Sequence, residues 1–369
     1  MKQKIVIITR QLPPIICGIG EYTICLATAL RAFGHEVILI AEKGDADVKV
    51  GITNNGWDSA SLQKLFEKLD SITPDLVILN FTPLMYSSPI NNKCADLVSF
   101  WIDCNREWNT ALVVHETYFL EWWYPPSWVK GRQQRELLKS LVEGSKNIFS
   151  ASQPLVDEMN KWGKGKNIII LPIGSMIPFI PADREILRQQ NGISTNDIVL
   201  VLFSGAISLK WLKGHVNTVD RVLTNRNVKV HWLLLGGVPQ DWFKLRSPVI
   251  SPGRLPENEI SAWLQAADIF LIPHFAGLCA KRSTLMAAML HGLPIVGTRS
   301  EMTDNYWVSI KGVYLVPRWA SKEFAESVFR LATNRELRVE NGNFNHDYFT
   351  NHISWQKISH KLLAALESQ

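Results

Sequence analysis

The run Ser251–Thr298, SPGRLPENEISAWLQAADIFLIPHFAGLCAKRSTLMAAMLHGLPIVGT, decides how the rest of the chain reads. It resolves into a turn, a helix, a buried strand, a loop, a second helix and a second buried strand. Ile269–Ile272 and Pro294–Gly297 are short apolar runs of the kind found in parallel sheets covered on both faces. The helix between them opens at Lys281, Arg282, Ser283 and Thr284. Two cations and two hydroxyls at a helix N-terminus, just after a strand, suit a bound diphosphate. The first amides of a helix have no internal partner, and its dipole favours negative charge.

The same alternation extends in both directions. Before this run, strands are expected at Ile5–Thr9, Glu36–Ala41, Leu76–Asn80, Leu112–His115, Asn147–Ser150, Ile168–Leu171, Ile198–Ser204, Lys229–Leu235 and Val249–Ile250, and after it at Gly312–Val316. Helices are expected at Gly20–Phe33, Ser59–Leu69, Asn92–Asp103, Arg132–Glu143, His215–Leu223, Glu257–Ala267, Ser283–His291 and Ser321–Ala332. The pattern predicts an α/β fold of two Rossmann-like, doubly wound domains facing a cleft, with ligands beyond the carboxyl ends of the strands. Leu171–Asp183, rich in Pro and Gly, reads as the hinge. The expected domains are 1–177 and 178–353; the helix within 354–369 is a candidate to pack on the first.

Size and composition agree with this. A chain of 369 residues exceeds one ordinary core. Its 46% hydrophobic and 20% charged residues are those of a globular protein, and a net charge of +5 is too mild and scattered to suggest nucleic acid. Five cysteines without close pairing suit reduced thiols, hence a cytoplasmic setting. Met1–Lys4 pass straight into a strand, leaving no expected room for a signal peptide, and no apolar run reaches the ~20 residues of a membrane span.

Polar residues at strand ends supply the candidates. Gly18 and Gly20, with Glu21 and Tyr22, open the first helix, where a close backbone approach to an anion competes with a plain tight turn. As a dinucleotide fingerprint the segment fails, because the third glycine would fall at Thr23. His115 and Glu116 end a strand and could donate to a sugar hydroxyl or handle protons. Gly205 and Lys213 follow the first strand of the second half, and Lys213 is preferred to Lys210 as a phosphate cation because Gly214 follows it. Arg254, between Gly253 and Leu255, could stack on a base. Trp122, Trp123 and Trp128 share the segment Glu121–Arg135 with Lys130, Arg132 and Arg135. It is expected to be an exposed loop that docks reversibly on an anionic bilayer at the inner face of the plasma membrane; packing of the Trp rings between the domains is the alternative.

Over nearly its whole length the chain resembles GT-B-fold retaining glycosyltransferases of the family-4 type. The resemblance rests on Pro13-Pro14, Gly18-Ile19-Gly20-Glu21-Tyr22, Gly34-His35-Glu36-Val37, Lys213-Gly214, Gly253-Arg254-Leu255-Pro256, Ala267–Pro273, Met289 and Gly292–Val296. It implies a nucleotide-sugar donor on the C-terminal domain and an acceptor on the N-terminal one. Lys213 then matches the diphosphate lysine, Gly253–Leu255 the base-contacting loop, and His115 a histidine at the donor sugar. Gly20 lies under the diphosphate, and Glu21, Tyr22, Asn80, Tyr86 and Trp122 fall on the acceptor side. The chain departs from the family at Ala206, where an Arg is usual, and at Cys279 and Ala287, where two glutamates stand eight apart. Lys281–Ala288 fits a variant with a basic pair, and His115-Glu116 and Asn80–Tyr86 also look like that variant.

The expectation is transfer of a sugar such as glucose from a UDP-sugar to a glycan or lipid-linked acceptor, with retention, in surface or envelope polysaccharide assembly. Neither cofactor nor metal is implied, since the cations do the neutralising. The alternatives are a UDP-sugar epimerase or hydrolase, and a non-catalytic nucleotide-sugar-binding partner.

Overall fold

Among the described residues every paired strand runs parallel to its neighbour, in two separate sheets. The computed structural model describes residues 2–49, 57–86, 94–118, 125–163, 165–203 and 212–367. The chain divides into one unit of Met1–Pro172 with Trp355–Gln369, and another of Ile173–Ser354.

The first sheet contains β1 (Lys4–Gln11), β2 (Glu36–Lys43), β3 (Val48–Lys49), β4 (Leu76–Phe81), β5 (Asn109–Val114), β6 (Asn147–Ser150) and β7 (Ile168–Ile170), in the order β3-β2-β1-β4-β5-β6-β7. The second contains β8 (Ile198–Phe203), β9 (Val230–Leu235), β10 (Val249–Gly253), β11 (Ile269–Ile272), β12 (Ile295–Arg299) and β13 (Val313–Pro317), ordered β10-β9-β8-β11-β12-β13. Strand order therefore reverses at β1/β4 and at β8/β11. These are the two switch points where doubly wound sheets open a crevice beyond their carboxyl ends.

Helices cover both faces. In the first unit they are α1 (Gly18–Ala32), α2 (Ser59–Ile72), α3 (Pro83–Tyr86), α4 (Cys94–Glu107), α5 (Pro125–Gly144) and α6 (Gln153–Asn160). The second has α7 (Arg184–Gln190), α8 (Lys213–Asn225), α9 (Glu257–Ala266), α10 (Ser283–Leu290), α11 (Ser321–Thr333) and α12 (Arg335–Tyr348). A further helix, α13 (Trp355–Glu367), packs on α1 in the first unit. Local chemistry sets several of the ends. Asp58 accepts the Ser61 amide at 2.9 Å to start α2, and Thr73 in the left-handed region (φ 52°) stops it. All six side chains of β4 are buried, as central parallel strands require.

Each expected strand is present, with ends shifted by a few residues. Four helices were not expected from the sequence: α3, α6, α7 and α12. The inner face of α12 is largely polar: Asn345 is fully buried and donates through Nδ2 to the carbonyls of Leu293 (2.8 Å) and Gly312 (3.0 Å). A larger correction concerns Glu121–Arg135, expected as a loop. From Pro125 onward it is the start of α5, because proline fits the first helical turn, where its missing N–H is not needed.

A cluster of paired charges fixes the amino-terminal edge of the second sheet. Asp268 accepts the Val199 amide (2.8 Å), Arg184 Nη2 (2.7 Å) and Arg188 Nη1 (3.1 Å). Arg188, 1% exposed, also donates to the carbonyls of Ala266, Ser194 and Asp197. The Ala267-Asp268 pair ahead of β11 thus has a structural task at the edge opposite the switch crevice.

Candidate functional site

In the first unit the residues around the β1/β4 switch form a layered network. Asn80 is fully buried at the end of β4 and donates through Nδ2 to Thr23 Oγ1 at 2.8 Å. Its Oδ1 therefore faces His115 Nε2, 3.1 Å away, just beyond β5. That arrangement puts the His115 proton on Nε2 and makes Nδ1 the acceptor of the neutral ring. The expected donation to a sugar hydroxyl would thus need Nδ1 protonated as well. The ring of Tyr22, 1% exposed, stands edge-on to His115 (4.7 Å between centroids) and to Trp355 (5.2 Å). Tyr86 is buried and donates to the Asn80 carbonyl at 3.0 Å. Burial pushes both phenols well above their ordinary pKa.

Tyr22, Asn80 and Tyr86 thus lie behind His115, while Glu21 is half-buried and Glu116 exposed. Gly20 has a structural reason to be glycine, since a Cβ there would lie 2.6 Å from the Gln11 carbonyl oxygen. Gly205 and Trp122 fall outside the described residues, as do Trp123 and Lys210.

In the second unit, two helices begin beside the β8/β11 switch. β8 and β11 are neighbours, with Leu202 paired to Leu271. Among the described residues, the side chain at the N-cap of the helix that follows each strand, Leu212 before α8 and Arg282 before α10, makes no capping hydrogen bond. Helix starts without such a cap suit an anion, although the third amide of each, at His215 and Leu285, already donates to the backbone carbonyl of Leu212 or Arg282. The exposed Lys213 opens α8, and Arg282 occupies the position before Ser283 at the start of α10. Lys281, Arg282, Ser283 and Thr284 are all half-buried, which gathers the basic pair and both hydroxyls at one helix end.

The loop between β11 and α10 is built on buried supports. Thr298 accepts the His274 amide (2.8 Å) and donates its hydroxyl to the His274 carbonyl (2.6 Å). Asp304, fully buried, accepts the Ala280 amide (2.7 Å) and Trp307 Nε1–H (3.2 Å) through one oxygen, Oδ2. Gly277 has φ +84°, and a Cβ there would lie 2.2 Å from Thr303 Oγ1. His274 Nδ1 accepts from Arg282 Nη2 at 2.8 Å. Burial, then Arg282 and Lys281, hold its pKa down to about 3.

Along the same rim, Gly236 and Gly237 (φ 74° and 78°) follow β9, and Gly253 (φ 79°) ends β10. Among the described residues nothing lies within 4 Å of where a Cβ would stand at Gly237 and Gly253. Arg254 is exposed and Leu255 half-buried. Read across the sheet, the open glycine turns lie on one side of the crevice and the basic helix start on the other.

Sequence reasoning gave no specific role to His274, Thr298 or Asp304. The first carried a faint signal, a polar residue at a strand end. The other two act through backbone amides distant in sequence. Among the described residues no group of three or more His, Cys, Asp or Glu side chains could hold a metal ion, and no helix is long and apolar enough to cross a membrane.

Residues 199–334 match the family model described as glycosyl transferases group 1. No curated protein matches the chain. Among solved structures, sucrose-phosphate synthase from Thermosynechococcus elongatus superposes with a TM-score of 0.72 at 14% identity, covering 100% of this chain and 99% of that one. WaaG, a glycosyltransferase involved in lipopolysaccharide biosynthesis, gives 0.65 at 16% identity, with 98% and 99% covered. Anabaena HepE, in complex with UDP and glucose, gives 0.67 at 16% identity and full coverage of both chains. The two parallel α/β units thus have the GT-B fold of these structures, and the second unit contains the stretch that matches the group 1 glycosyl transferase model.

Proposed function

We propose that the chain moves a sugar, glucose or a near relative, from a UDP-sugar to a glycan or lipid-linked acceptor with retention of configuration. The acceptor would be a growing surface or envelope polysaccharide. One observation carries the reading: two helix N-termini without an N-cap side-chain bond beside one switch point, led by Lys213 and Arg282. The UDP and glucose held by HepE support the choice of donor.

In this reading the diphosphate sits over the starts of α8 and α10. Its leaving requires that the bond from the sugar's anomeric carbon to the phosphate oxygen break while negative charge builds on that oxygen. Lys213, Arg282 and the helix N-termini stabilise this charge in place, and preorganised groups of this kind lower a barrier by several kcal/mol. The acceptor hydroxyl attacks on the face the phosphate leaves. A new carbon–oxygen bond forms there, and the departing phosphate takes the hydroxyl proton. Because no side-chain nucleophile takes part, Cys279 and Ala287 in place of carboxylates are compatible with turnover. On the first unit, His115, oriented by Asn80, is the candidate for contact with a sugar hydroxyl. Docking on an anionic bilayer through the segment that includes Trp122 belongs to the same proposal.

A thermal-shift screen across UDP-, GDP- and ADP-sugars tests it. UDP compounds should raise the melting temperature of the wild type, and Lys213→Ala and Arg282→Ala should each reduce the shift. A charged hydrogen bond of about 1.5–3 kcal/mol at Arg282 corresponds to roughly 10- to 150-fold weaker binding. Equal shifts in wild type and both variants would refute the phosphate assignment. Product formed from UDP-sugar without acceptor would point instead to an epimerase or hydrolase.

A further inference from the structure

We infer that His274 is the positioning residue for Arg282, holding the guanidinium in the diphosphate crevice while leaving its charge intact. The inference rests on the diphosphate reading above and adds a side chain which that reading does not use.

The chain of contacts begins in the core. Thr298 is fully buried and grips both backbone polar groups of His274, at 2.8 and 2.6 Å. The histidine is therefore fixed to the end of β12 before its ring is considered. Two N–H groups then converge on Nδ1: the Ala276 amide at 3.2 Å and Arg282 Nη2 at 2.8 Å. A ring nitrogen that accepts must be unprotonated, so the neutral ring carries its proton on Nε2. Protonating Nδ1 would eject both donors and set one cation against another, in keeping with the depressed pKa of this ring.

The choice of a neutral partner matters for the cation. Buried or half-buried arginines elsewhere in this unit are held by carboxylates, as Arg188 and Arg184 are by Asp268. A carboxylate orients a guanidinium but cancels its charge. Neutral imidazole orients it and cancels nothing, so the full positive charge remains for an anionic ligand. Arg282 Nε is buried without a hydrogen-bond partner among the described residues, and Nη2 is committed to His274. The side chain is thus set by one strong contact, and losing that contact frees its rotamers. Freezing an arginine costs up to ~2 kcal/mol, which bounds the loss at roughly 30-fold in affinity.

The test is calorimetric titration with UDP on the full chain. It compares His274→Ala, His274→Asn and His274→Asp, each in the wild-type and the Arg282→Ala background. Alanine should weaken binding by about 5- to 20-fold, within the bound set by arginine side-chain entropy. Asparagine, whose Oδ1 is a neutral acceptor, should restore affinity to within about threefold of wild type, since it keeps the same type of hydrogen bond. Aspartate should bind UDP no better than alanine, because it would hold the arginine and neutralise it. In the Arg282→Ala background all three changes should be silent.

Equal losses in both backgrounds, or asparagine no better than alanine, would overturn the inference. So would aspartate matching the wild type. Weak binding by Arg282→Ala with wild-type binding by His274→Ala would overturn it while sparing the diphosphate reading. Wild-type binding by Arg282→Ala would overturn that reading, and the inference with it.

Discussion

Asp304 offers a sharp test of how the site loop is supported. Its Oδ2 alone accepts two donors, the Ala280 amide at 2.7 Å and Trp307 Nε1–H at 3.2 Å, and Ala280, Asp304 and Trp307 are all fully buried. Replacing the residue with alanine removes the acceptor and strands both donors away from water. Each stranded donor costs about 1–3 kcal/mol, so the pair should cost roughly 2–6 kcal/mol. Folding free energies of about 5–15 kcal/mol make this a large fraction of the total. In a unit of this size about 1 kcal/mol moves the melting temperature by roughly 2–4 °C, so a drop of at least about 4 °C is expected. Asp304→Asn is the discriminating control. With its Oδ1 placed where Oδ2 stands, both of these bonds survive, so most of the stability should return. Thermal denaturation followed by circular dichroism reads both variants. If alanine melts within about a degree of wild type, or if asparagine is no better than alanine, the two-donor account is wrong.

Two further outcomes follow from buried groups. The Tyr22 hydroxyl is buried without a hydrogen-bond partner among the described residues, so Tyr22→Phe should be neutral or stabilising, whereas Tyr22→Ala should cost about 3–5 kcal/mol; a raised acceptor KM in Tyr22→Phe at unchanged stability would instead show the hydroxyl meeting substrate. His215, His274 and His291 all have pKa values lowered by burial, so the unfolded chain binds more protons than the native one below about pH 6.5. Stability should therefore be fully present above that pH and fall as pH drops towards about 3, where His274 titrates in the fold. Urea melts of wild type and His274→Asn across this range should show a shallower fall in the variant, and parallel curves would remove His274 from the account.

Periodicity made the sheets readable because parallel strands are apolar on both faces, and runs such as Leu76–Asn80 and Ile269–Ile272 allow few other interpretations. Helices with an amphipathic stripe, such as α8 and α11, were legible for the same kind of reason. α12 was not, because its sequence RELRVENGNFNHDY packs asparagines that serve distant carbonyls. Nor was the start of α5, where two prolines suggested a loop although a helix can begin on them. At the site, Lys281–Thr284 could be read directly because the helix start and its cations are adjacent in sequence. The supports could not. Thr298 reaches back 24 residues to His274, and Asp304 reaches 24 back to Ala280, so only the folded chain brings them together. The tautomer of His115 was likewise unreadable, since it depends on which way the Asn80 amide is turned by Thr23.

The return of α13 to the first unit has a consequence for how the molecule is made. The second unit is one unbroken stretch of chain, but the first is assembled from two pieces separated by all of Ile173–Ser354. On the ribosome, Tyr22 is synthesised hundreds of residues before Trp355, the ring that covers its edge. The earlier-made half must wait, with one flank bare, while the later-made half emerges. A chaperone that shields apolar surface would find its natural target there during that interval.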